Sequence, residues 1–532
     1  MAASHPTKRN IVLTGFMGTG KTTVGRMLAA QLGYEFVDTD ELLQARMGRT
    51  IPEIFHEQGE ASFRQMEAEL AQELSNGEGL VISTGGRMML DPANVAALSS
   101  SGRVFCLVAT PEEILSRLMN DKDHPRPLLK VPNPGERIVE LLQERREGYA
   151  RFPQVTTNER QPAEVSNDLI SVIQEDPKRF VVEHTVRSYE YIVGGGILSF
   201  IRQLADVVGQ LVVITDTRVG ELYSPSCGPV DHVVTIPVGA QHKTLATVAT
   251  IYDQLLDVKF DRSGTIVALG GSTVGDVAGF VAGTYMRGVD FIQCPTSLMA
   301  LADTSVGGKS GLDLPQGKNL IGIIKEPRAV IADVATLQTL PQAEFVSGMA
   351  EVIKHGLLAA TGLLEKVENG TWGDTPERLH LLLPNLQALV AQSIQVKIAV
   401  VQADPYEQSQ RTLLNLGHTF AYAIEQVSQY TIRHGEAVAI GLVAAANLSH
   451  RMGYCAAAVQ ERIEAVLTKV GLPTRIPEGL TPQAMLDAMA RDKKRISGQL
   501  RFVLLHDIGD AFVTDAVSGD DVLETMNVLS VR

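Results

Sequence analysis

Residues 11–33, IVLTGFMGTGKTTVGRMLAAQLG, decide the fold of the N-terminal part of the chain. An apolar run typical of a buried strand leads into a glycine-rich loop and then into an amphipathic helical pattern. Gly15, Gly20, Lys21 and Thr22 match the pattern G-x-x-x-x-G-K-[ST]. Backbone N–H groups of such a loop surround phosphate oxygens, and the dipole of the following helix favours the negative charge. The segment therefore predicts an α/β domain, a parallel sheet between helices, that binds a nucleotide.

Two residue types in this loop indicate how MgATP would be held. A lysine at this position reaches the β- and γ-phosphates, and the threonine hydroxyl after it holds Mg²⁺. The predicted ATP-binding residues are Gly15, Gly18, Gly20, Lys21, Thr22 and Thr23. Asp38 and Asp40 follow the next strand at alternate positions, so we expect both side chains on one side of an extended segment. A helix N-cap is the alternative for Asp40.

Composition places the chain among globular proteins of more than one domain. Its 532 residues exceed what one hydrophobic core holds, and 45% hydrophobic and 20% charged residues are ordinary values. A net charge of −14 argues against a nucleic-acid partner. No apolar run approaches the roughly 20 residues of a membrane span, and the N-terminus lacks a signal-peptide core. The four cysteines form no close-spaced pair. We expect a cytoplasmic protein with reduced thiols.

Residues 8–173 resemble the shikimate kinases. The resemblance rests on GFMGTGKTT, DTDE, the FR that contains Arg64, TGG, RPLL and the R-x-x-x-Y that begins at Arg145, in the family's order. It implies that the substrate shikimate is bound by Asp40, Arg64, Gly85, Gly86 and Arg145, with the two arginines on its carboxylate. It further implies that Asp38 helps Thr22 to hold Mg²⁺ and that Arg126 closes over the transferred phosphate. The family has a third glycine where this chain has Arg87.

The segment EDPKRF interrupts the last helical pattern of this domain, so we place a boundary between residues 176 and 177. No long Gly/Ser-rich tether follows, which allows the two halves to touch. Residues 177–335 alternate strands and helices and predict an α/β subdomain. Asp216 ends one of these strands, where a carboxylate suits a ribose hydroxyl. Residues 336–532 predict a mainly helical subdomain.

Two histidines of the helical part begin predicted helices and could share a divalent cation. His418 follows Gly417, and His434 follows a polar turn. Glu351 is the best acidic candidate for a third ligand, and such a set leaves a coordination position open for substrate. Packed or capping histidines are the alternative. The polar and charged residues around the pair favour the metal site: Lys354, Arg411, Asn415 and Glu436.

Residues 179–510 resemble the 3-dehydroquinate synthases. The resemblance rests on VGD-x-AGF, TYMRG, PTSL, D-x-SVGGK, GKN-x-IG, AEVIK, LLNLGHTF and HGEAVAIG. It implies Zn²⁺ or Co²⁺ on Glu351, His418 and His434. The NAD⁺ contacts implied are Asp216, Lys243, Gly270, Gly271, Gly275, Asp276, Thr296, Ser297, Asp303, Lys309 and Lys318. The substrate contacts implied are Arg287, Asp303, Asn319, Lys354, Lys397, Arg411, Asn415 and Lys493, and a homodimer through this half is also implied.

This resemblance implies the reaction as well. The family converts 3-deoxy-arabino-heptulosonate 7-phosphate to 3-dehydroquinate and phosphate through oxidation, elimination, reduction and an intramolecular aldol step. The catalytic residues implied are Lys309, Lys354, Arg411 and Asn415. Tyr422, one helical turn after His418, is our own addition as a neutral hydrogen-bond donor, and simple packing is the alternative. The chain departs from the family pattern at Tyr422, where a second histidine is usual, and at Ala240, where an acid is usual.

The sequence therefore predicts a bifunctional enzyme of aromatic precursor synthesis, with small-molecule substrates and no nucleic-acid or membrane partner. One alternative keeps an active kinase beside a divergent sugar-phosphate cyclase or a polyol dehydrogenase. Another makes one half a non-catalytic assembly module. Arg87, Ala240 and Tyr422 motivate the second alternative, and the complete phosphate-loop and metal-ligand sets count against it.

Overall fold

The N-terminal half is a parallel β-sheet between helices, as its sequence predicts. The computed structural model describes residues 9–120, 131–174, 177–359, 362–370, 383–405, 407, 410–490 and 500–531. In the first half of these residues the strand order is β2-β3-β1-β4-β5, with every neighbouring pair parallel. The elements are β1 (Asn10–Thr14), α1 (Lys21–Leu32), β2 (Glu35–Asp38), α2 (Thr39–Met47), α3 (Ile51–Ser75), β3 (Leu80–Ser83), α4 (Pro92–Ser101), β4 (Gly102–Val108), α5 (Pro111–Asn120), α6 (Pro134–Ala150), β5 (Gln154–Thr156) and α7 (Pro162–Gln174).

The phosphate-binding loop joins the central strand β1 to α1. Gly15 lies in this loop with φ 133°, and a Cβ there would collide with the Leu107 carbonyl oxygen. Glycine is therefore required on both conformational and steric grounds. The loop stands at the carboxyl end of the sheet, where ligands of parallel α/β folds bind.

The expectation that Asp38 and Asp40 share an extended segment is wrong. Strand β2 ends at Asp38, and α2 already begins at Thr39. The Asp38 carboxylate accepts hydrogen bonds from the backbone N–H groups of Asp40 (3.1 Å) and Glu41 (3.3 Å), so Asp38 rather than Asp40 is the N-cap. This cap starts the helix early and turns the Asp40 side chain away from the direction that β2 would have given it.

The second half begins with a sheet in which the strand order is β6-β7-β14-β11-β10-β8-β9, parallel apart from the β6–β7 pair. The carboxyl ends of β8, β10 and β11 therefore meet at one edge. The elements are β6 (Lys178–Val182), β7 (Tyr189–Gly194), α8 (Ile201–Leu204), β8 (Leu211–Asp216), α9 (Thr217–Tyr223), β9 (His232–Ile236), α10 (Leu245–Asp257), β10 (Thr265–Gly270), α11 (Ser272–Thr284), β11 (Asp290–Pro295), the hairpin β12 (Lys309–Leu314) and β13 (Gly317–Ile324), and β14 (Ala329–Asp333).

The C-terminal part is mainly helical, as predicted, with one small hairpin. Its buried side chains, together with those of β7 and β14, form one large hydrophobic core. The elements are α12 (Gln342–Leu358), α13 (Leu363–Asn369), α14 (Leu383–Ala403), α15 (His418–Val427), α16 (His434–Arg451), α17 (Ala457–Val470), α18 (Pro482–Ala490), β15 (Phe502–Asp507), β16 (Asp510–Thr514) and α19 (Gly519–Leu529). One window of α14, Asn385–Ala403, has the length and hydropathy of a membrane span, but 61% of it is buried inside the protein, as in a core helix.

The two halves contact each other through polar groups that the fold has buried. Arg103 on β4 donates a 2.6 Å hydrogen bond to the carbonyl oxygen of Gly195. The backbone N–H of Gln154, on the edge strand β5, donates to Gln338 Oε1 (3.1 Å). A cavity of about 30 Å³ remains between the halves. The junction is therefore a packed contact between the two folded parts.

Candidate active sites

The predicted nucleotide and magnesium residues lie together at the phosphate-binding loop. Lys21 Nζ donates hydrogen bonds to the carbonyl oxygens of Gly15 and Phe16, each 2.9 Å long. Thr22 Oγ1 donates to Asp38 Oδ2 at 2.8 Å. Because Asp38 is also the N-cap of α2, its carboxylate has a fixed direction beside the threonine hydroxyl. The two oxygen ligands predicted for Mg²⁺ are thus adjacent.

The predicted shikimate residues surround the glycine turn after β3. A Cβ on Gly85 would lie 2.6 Å from Asp40 Oδ1, and a Cβ on Gly86 would lie 3.7 Å from Arg145 Nη1. A side chain on Gly85 would therefore collide with the Asp40 carboxylate, and Gly86 lies in contact distance of the Arg145 guanidinium. Tyr149, one helical turn after Arg145, donates a short hydrogen bond to the Gly86 carbonyl oxygen. Tyr149 fixes the turn and was not among the predicted site residues.

Glu67 is a second residue that sequence reasoning missed. It is 1% exposed, and its Oε2 lies 2.6 Å from Arg64 Nη1, one turn earlier on α3. Burial raises the pKa of Glu67 despite this ion pair. The spacing of three residues from Arg64 was the available signal in the sequence.

Arg87 stands where the family pattern has a third glycine. Its guanidinium forms an ion pair with the exposed Glu60 at 3.1 Å.

The structure brings the three predicted metal ligands together. Glu351 Oε1 lies 3.4 Å from His418 Nε2 and 3.5 Å from His434 Nε2. Both histidines begin their helices, α15 and α16, as predicted. Neither Glu351 oxygen has a hydrogen bond of normal geometry, although the carboxylate is 1% exposed. Two imidazoles and one buried carboxylate converging on a point fit Zn²⁺ or Co²⁺.

The buried Glu351 carboxylate shifts the pKa values of its neighbours and is itself shifted by them. Burial alone would raise the pKa of Glu351, but Lys354 and His418 hold it well below its usual value. Burial alone would lower the pKa of His434, but Glu351 and Glu425 raise it to about 9. A bound metal ion takes the place of that imidazole proton. Glu351 is therefore ionised before a metal binds, whereas His434 would have to release its proton on metal binding.

A group of buried basic residues lies beside the metal ligands. Lys354 is 2% exposed, forms an ion pair with Glu351 and lies 4.0 Å from Asp303 Oδ1. Lys397 Nζ lies 2.9 Å from the same Asp303 oxygen. Burial alone would raise the pKa of Asp303, but Lys397 and Lys354 hold it below its usual range. Asp303 thus positions two predicted substrate lysines.

Two further basic residues, Arg411 and Lys309, lie near Lys354 and Lys397 on the side of the hairpin β12–β13. We call these four residues the basic wall. The Arg411 guanidinium is 5% exposed and donates to the carbonyl oxygens of Pro405 (2.8 Å) and Gly307 (3.2 Å). Lys309 forms an ion pair with Glu407. Asn415 lies half-buried just before the helix that begins at His418.

Several predicted cofactor residues lie at the carboxyl edge of the seven-stranded sheet, whereas Lys309 and Lys318 lie on the β12–β13 hairpin. Among the residues the structure describes, a cavity of about 10 Å³ is lined by Gly271, Ser272, Gly275, Asp276, Gln293, Ala300 and Thr304. Lys243 forms an ion pair with Asp276 and donates a hydrogen bond to Asn319. Lys243 therefore links a predicted cofactor contact, Asp276, to a predicted substrate contact, Asn319. Thr296 N–H donates to the carbonyl oxygen of Gly270 at 3.0 Å.

Asp216 Oδ1 accepts from Arg218 N–H and Val219 N–H, both at 2.9 Å, so this carboxylate is the N-cap of α9. Arg287 is exposed with φ 66°. Ser297 Oγ would lie 3.4 Å from a Cβ on Gly271. Arg126 and Lys493 lie outside the described residues.

Tyr422 lies next to the metal ligands, where the family pattern has a histidine. Its ring is 5.6 Å from that of His418, edge to face, and the side chain is half-buried. The spacing of four residues on α15 accounts for this placement.

Sequence comparisons assign families to both halves. The shikimate kinase profile matches residues 17–174, and the 3-dehydroquinate synthase N-terminal and C-terminal profiles match residues 233–347 and 348–495. A 3-dehydroquinate synthase of Halorhodospira halophila is 43% identical over 352 residues, which are 65% of this chain and 98% of that protein. One of Synechococcus sp. is 41% identical over 329 residues, 60% of this chain and 89% of that protein.

A solved structure agrees with the fold of the second half. A 2-deoxy-scyllo-inosose synthase, crystallised with carbaglucose-6-phosphate, NAD⁺ and Co²⁺, is 26% identical with a TM-score of 0.58 and covers 66% of this chain and 99% of its own. The identity to curated 3-dehydroquinate synthases is higher, which favours that activity over a related cyclase. The chain belongs to the 3-dehydroquinate synthase family, carries a shikimate kinase domain in front of it, and is a bifunctional enzyme of the shikimate pathway.

Proposed function

We propose that the kinase half transfers the γ-phosphoryl group of MgATP to shikimate with the residues gathered at the phosphate-binding loop. The observation that supports this proposal is the Thr22–Asp38 contact beside Lys21. Lys21, now held by two loop carbonyls, is placed to move onto the nucleotide phosphates. Asp40 would accept from the ring hydroxyls, and Arg145 would bind the carboxylate in the bidentate manner suited to a guanidinium.

For the synthase half we propose that the cluster of Glu351, His418 and His434 holds Zn²⁺ or Co²⁺ and that the carboxyl edge of the sheet holds NAD⁺. The buried Glu351 carboxylate, which faces both histidine Nε2 atoms, supports the metal, and the glycine turn before α11 supports the dinucleotide. When bound, NAD⁺ would take and return a hydride, and the metal would polarise the C–O group concerned.

The protein residues would bind and orient the heptulosonate phosphate. Lys354, Lys397 and Arg411 place three positive charges in a buried wall, where electrostatic attraction to a phosphate dianion is stronger than in water. Asp303 fixes the directions of both lysines, and Asn415 with Tyr422 supplies neutral donors nearby. Since the substrate phosphate can itself accept a proton, positioning is the main contribution of this wall.

We further propose a homodimer formed through the synthase half and a cytoplasmic location. Met286 and Arg287 are exposed in adjoining left-handed turn positions, a place from which a side chain can reach a second subunit. The buried thiols Cys106, Cys227 and Cys294, with burial raising the pKa of each, suit a reducing compartment.

Crossed substitutions test the assignment of both sites. Lys21→Ala should lower the kinase rate by at least about 10²-fold, the scale of other transition-state charge donors, and leave the synthase rate unchanged. Glu351→Gln should abolish the synthase rate and leave the kinase rate unchanged. The assignment is wrong if either substitution spares its own reaction or removes the other.

A further inference from the structure

Each predicted histidine ligand has a polar partner on the ring nitrogen that faces away from Glu351. His418 Nδ1 lies 3.1 Å from the Leu416 carbonyl oxygen. His434 Nδ1 lies 3.5 Å from Glu425 Oε2. These partners leave both Nε2 atoms directed at Glu351 Oε1. Groups of this kind fix the tautomer and the orientation of a metal-binding imidazole.

Glu425 differs from Leu416 because it also contacts a basic residue of another subdomain. It is 5% exposed and lies on α15, two turns after His418. Its second oxygen, Oε1, lies 3.4 Å from Lys318 Nζ on the hairpin strand β13. Lys318 Nζ also lies 4.0 Å above the Tyr430 ring. One buried carboxylate therefore joins a candidate metal ligand to the hairpin that carries predicted cofactor contacts.

We propose that Glu425 is a positioning residue for both partners: it orients His434 for the metal ion and holds Lys318 against the metal centre. This inference rests on the metal site proposed above. Glu425 has no ligand position of its own, because its two oxygens face His434 Nδ1 and Lys318 Nζ. Its negative charge strengthens His434 as an electron donor to the metal, as carboxylates behind metal-bound imidazoles do.

The first expected consequence is weaker metal binding without loss of a ligand. Replacing such an outer partner typically costs about 10- to 100-fold in metal affinity. Glu425→Gln keeps the size and an acceptor oxygen but removes the charge. Glu344→Gln is the matched control, since Glu344 is an exposed carboxylate on α12 that pairs with Arg433.

Metal affinity is measured on the full chain after chelation and dialysis, by Co²⁺ titration against a chromophoric chelator and by the Co²⁺ absorption bands. Glu425→Gln should bind Co²⁺ about 10- to 100-fold more weakly, with shifted bands, while Glu344→Gln matches the wild type. If Glu425→Gln is poorly folded, Glu425→Asp, which keeps the charge on a shorter side chain, should give a smaller loss of affinity than Glu425→Ala.

The second consequence concerns Lys318. If Glu425 holds this lysine, Glu425→Gln and Lys318→Met should each weaken NAD⁺ binding, and the double variant should lose less than the product of the two effects. Metal affinity within twofold of wild type in Glu425→Gln, with unchanged Co²⁺ bands, overturns the inference. Glu351→Gln distinguishes failure of the Glu425 inference from failure of the proposed metal site. If Glu351→Gln binds Co²⁺ as the wild type does, the metal site itself is wrongly assigned.

Discussion

Replacing Lys354 by methionine should destabilise the metal-free synthase half far more than the metal-loaded one. Lys354 and Glu351 are 2% and 1% exposed and form an ion pair inside the helical subdomain. Burial alone would lower the pKa of Lys354, but Glu351 and Asp303 raise it, so the ammonium is charged. Lys354→Met keeps most of the side-chain volume and removes the charge, so the buried Glu351 carboxylate loses its ammonium partner and keeps the less buried His434 as a counter-charge.

The size of the effect follows from the burial of both partners. Removing one member of a buried ion pair costs about 3–5 kcal/mol when the remaining charge is left desolvated and unpaired. Because His434 still faces Glu351, we expect the lower part of that range, about 3–4 kcal/mol. For a cooperative unit of 150–250 residues, each kcal/mol lowers the melting temperature by about 2–4 °C, so the expected fall is about 6–16 °C. A divalent cation on Glu351 supplies the missing positive charge, so most of this fall should disappear when Zn²⁺ is added.

Differential scanning calorimetry of the full chain, with a chelator or with Zn²⁺, measures both effects on the synthase transition. Lys469→Met is the control: it removes an exposed lysine of the same subdomain and should change stability by less than about 1 kcal/mol. Adding Glu351→Gln to Lys354→Met removes the stranded charge and should recover much of the loss. The reasoning is refuted if Lys354→Met and the wild type have the same melting temperature in chelator. It is also refuted if adding Zn²⁺ does not reduce the difference between their melting temperatures.

Three further predictions test other parts of the account. Tyr422→Phe, which removes only the phenolic donor, should lower the synthase kcat/KM by roughly tenfold, about 1.4 kcal/mol; wild-type kinetics would mean that the ring merely packs. Glu67→Gln should raise the kinase KM for shikimate by about tenfold through the loss of Arg64 orientation, with KM for ATP unchanged; equal changes in both would indicate general damage. Residues 1–176 and 177–532, expressed separately, should each fold and keep their own activity, with the kinase fragment melting lower than in the full chain because it lacks the Arg103–Gly195 contact; two insoluble fragments would contradict independent folding.

The fold could be predicted from the sequence because its signals are local. The strand, glycine loop and helix of residues 11–33 specify their own geometry, and His418 and His434 begin helices where the apolar periodicity begins. The Asp38–Asp40 segment failed because the choice between a strand and a helix depended on which aspartate caps the helix. Backbone N–H groups two and three residues later decided that choice.

The site residues that could not be predicted from the sequence depend on contacts between elements that are far apart along the chain. Glu425 lies seven residues after His418, which places both on one face of α15, but its contact with Lys318 joins positions 107 residues apart. The contact of Gln338 with the edge strand of the kinase sheet spans 184 residues. Such pairs become visible only when the two subdomains are brought together. Sequence patterns therefore predicted the candidate metal ligands but not the groups that would orient them.

The central claim is that one chain carries two separate active sites with different metal requirements. The most direct test measures both reactions on the same purified protein, in buffer with excess Mg²⁺, before and after treatment with a chelator that removes Zn²⁺ and Co²⁺. We expect the conversion of 3-deoxy-arabino-heptulosonate 7-phosphate to stop and to return when Zn²⁺ or Co²⁺ is added, while phosphorylation of shikimate continues throughout. Loss of both reactions together, or persistence of the first after complete metal removal, would contradict the claim.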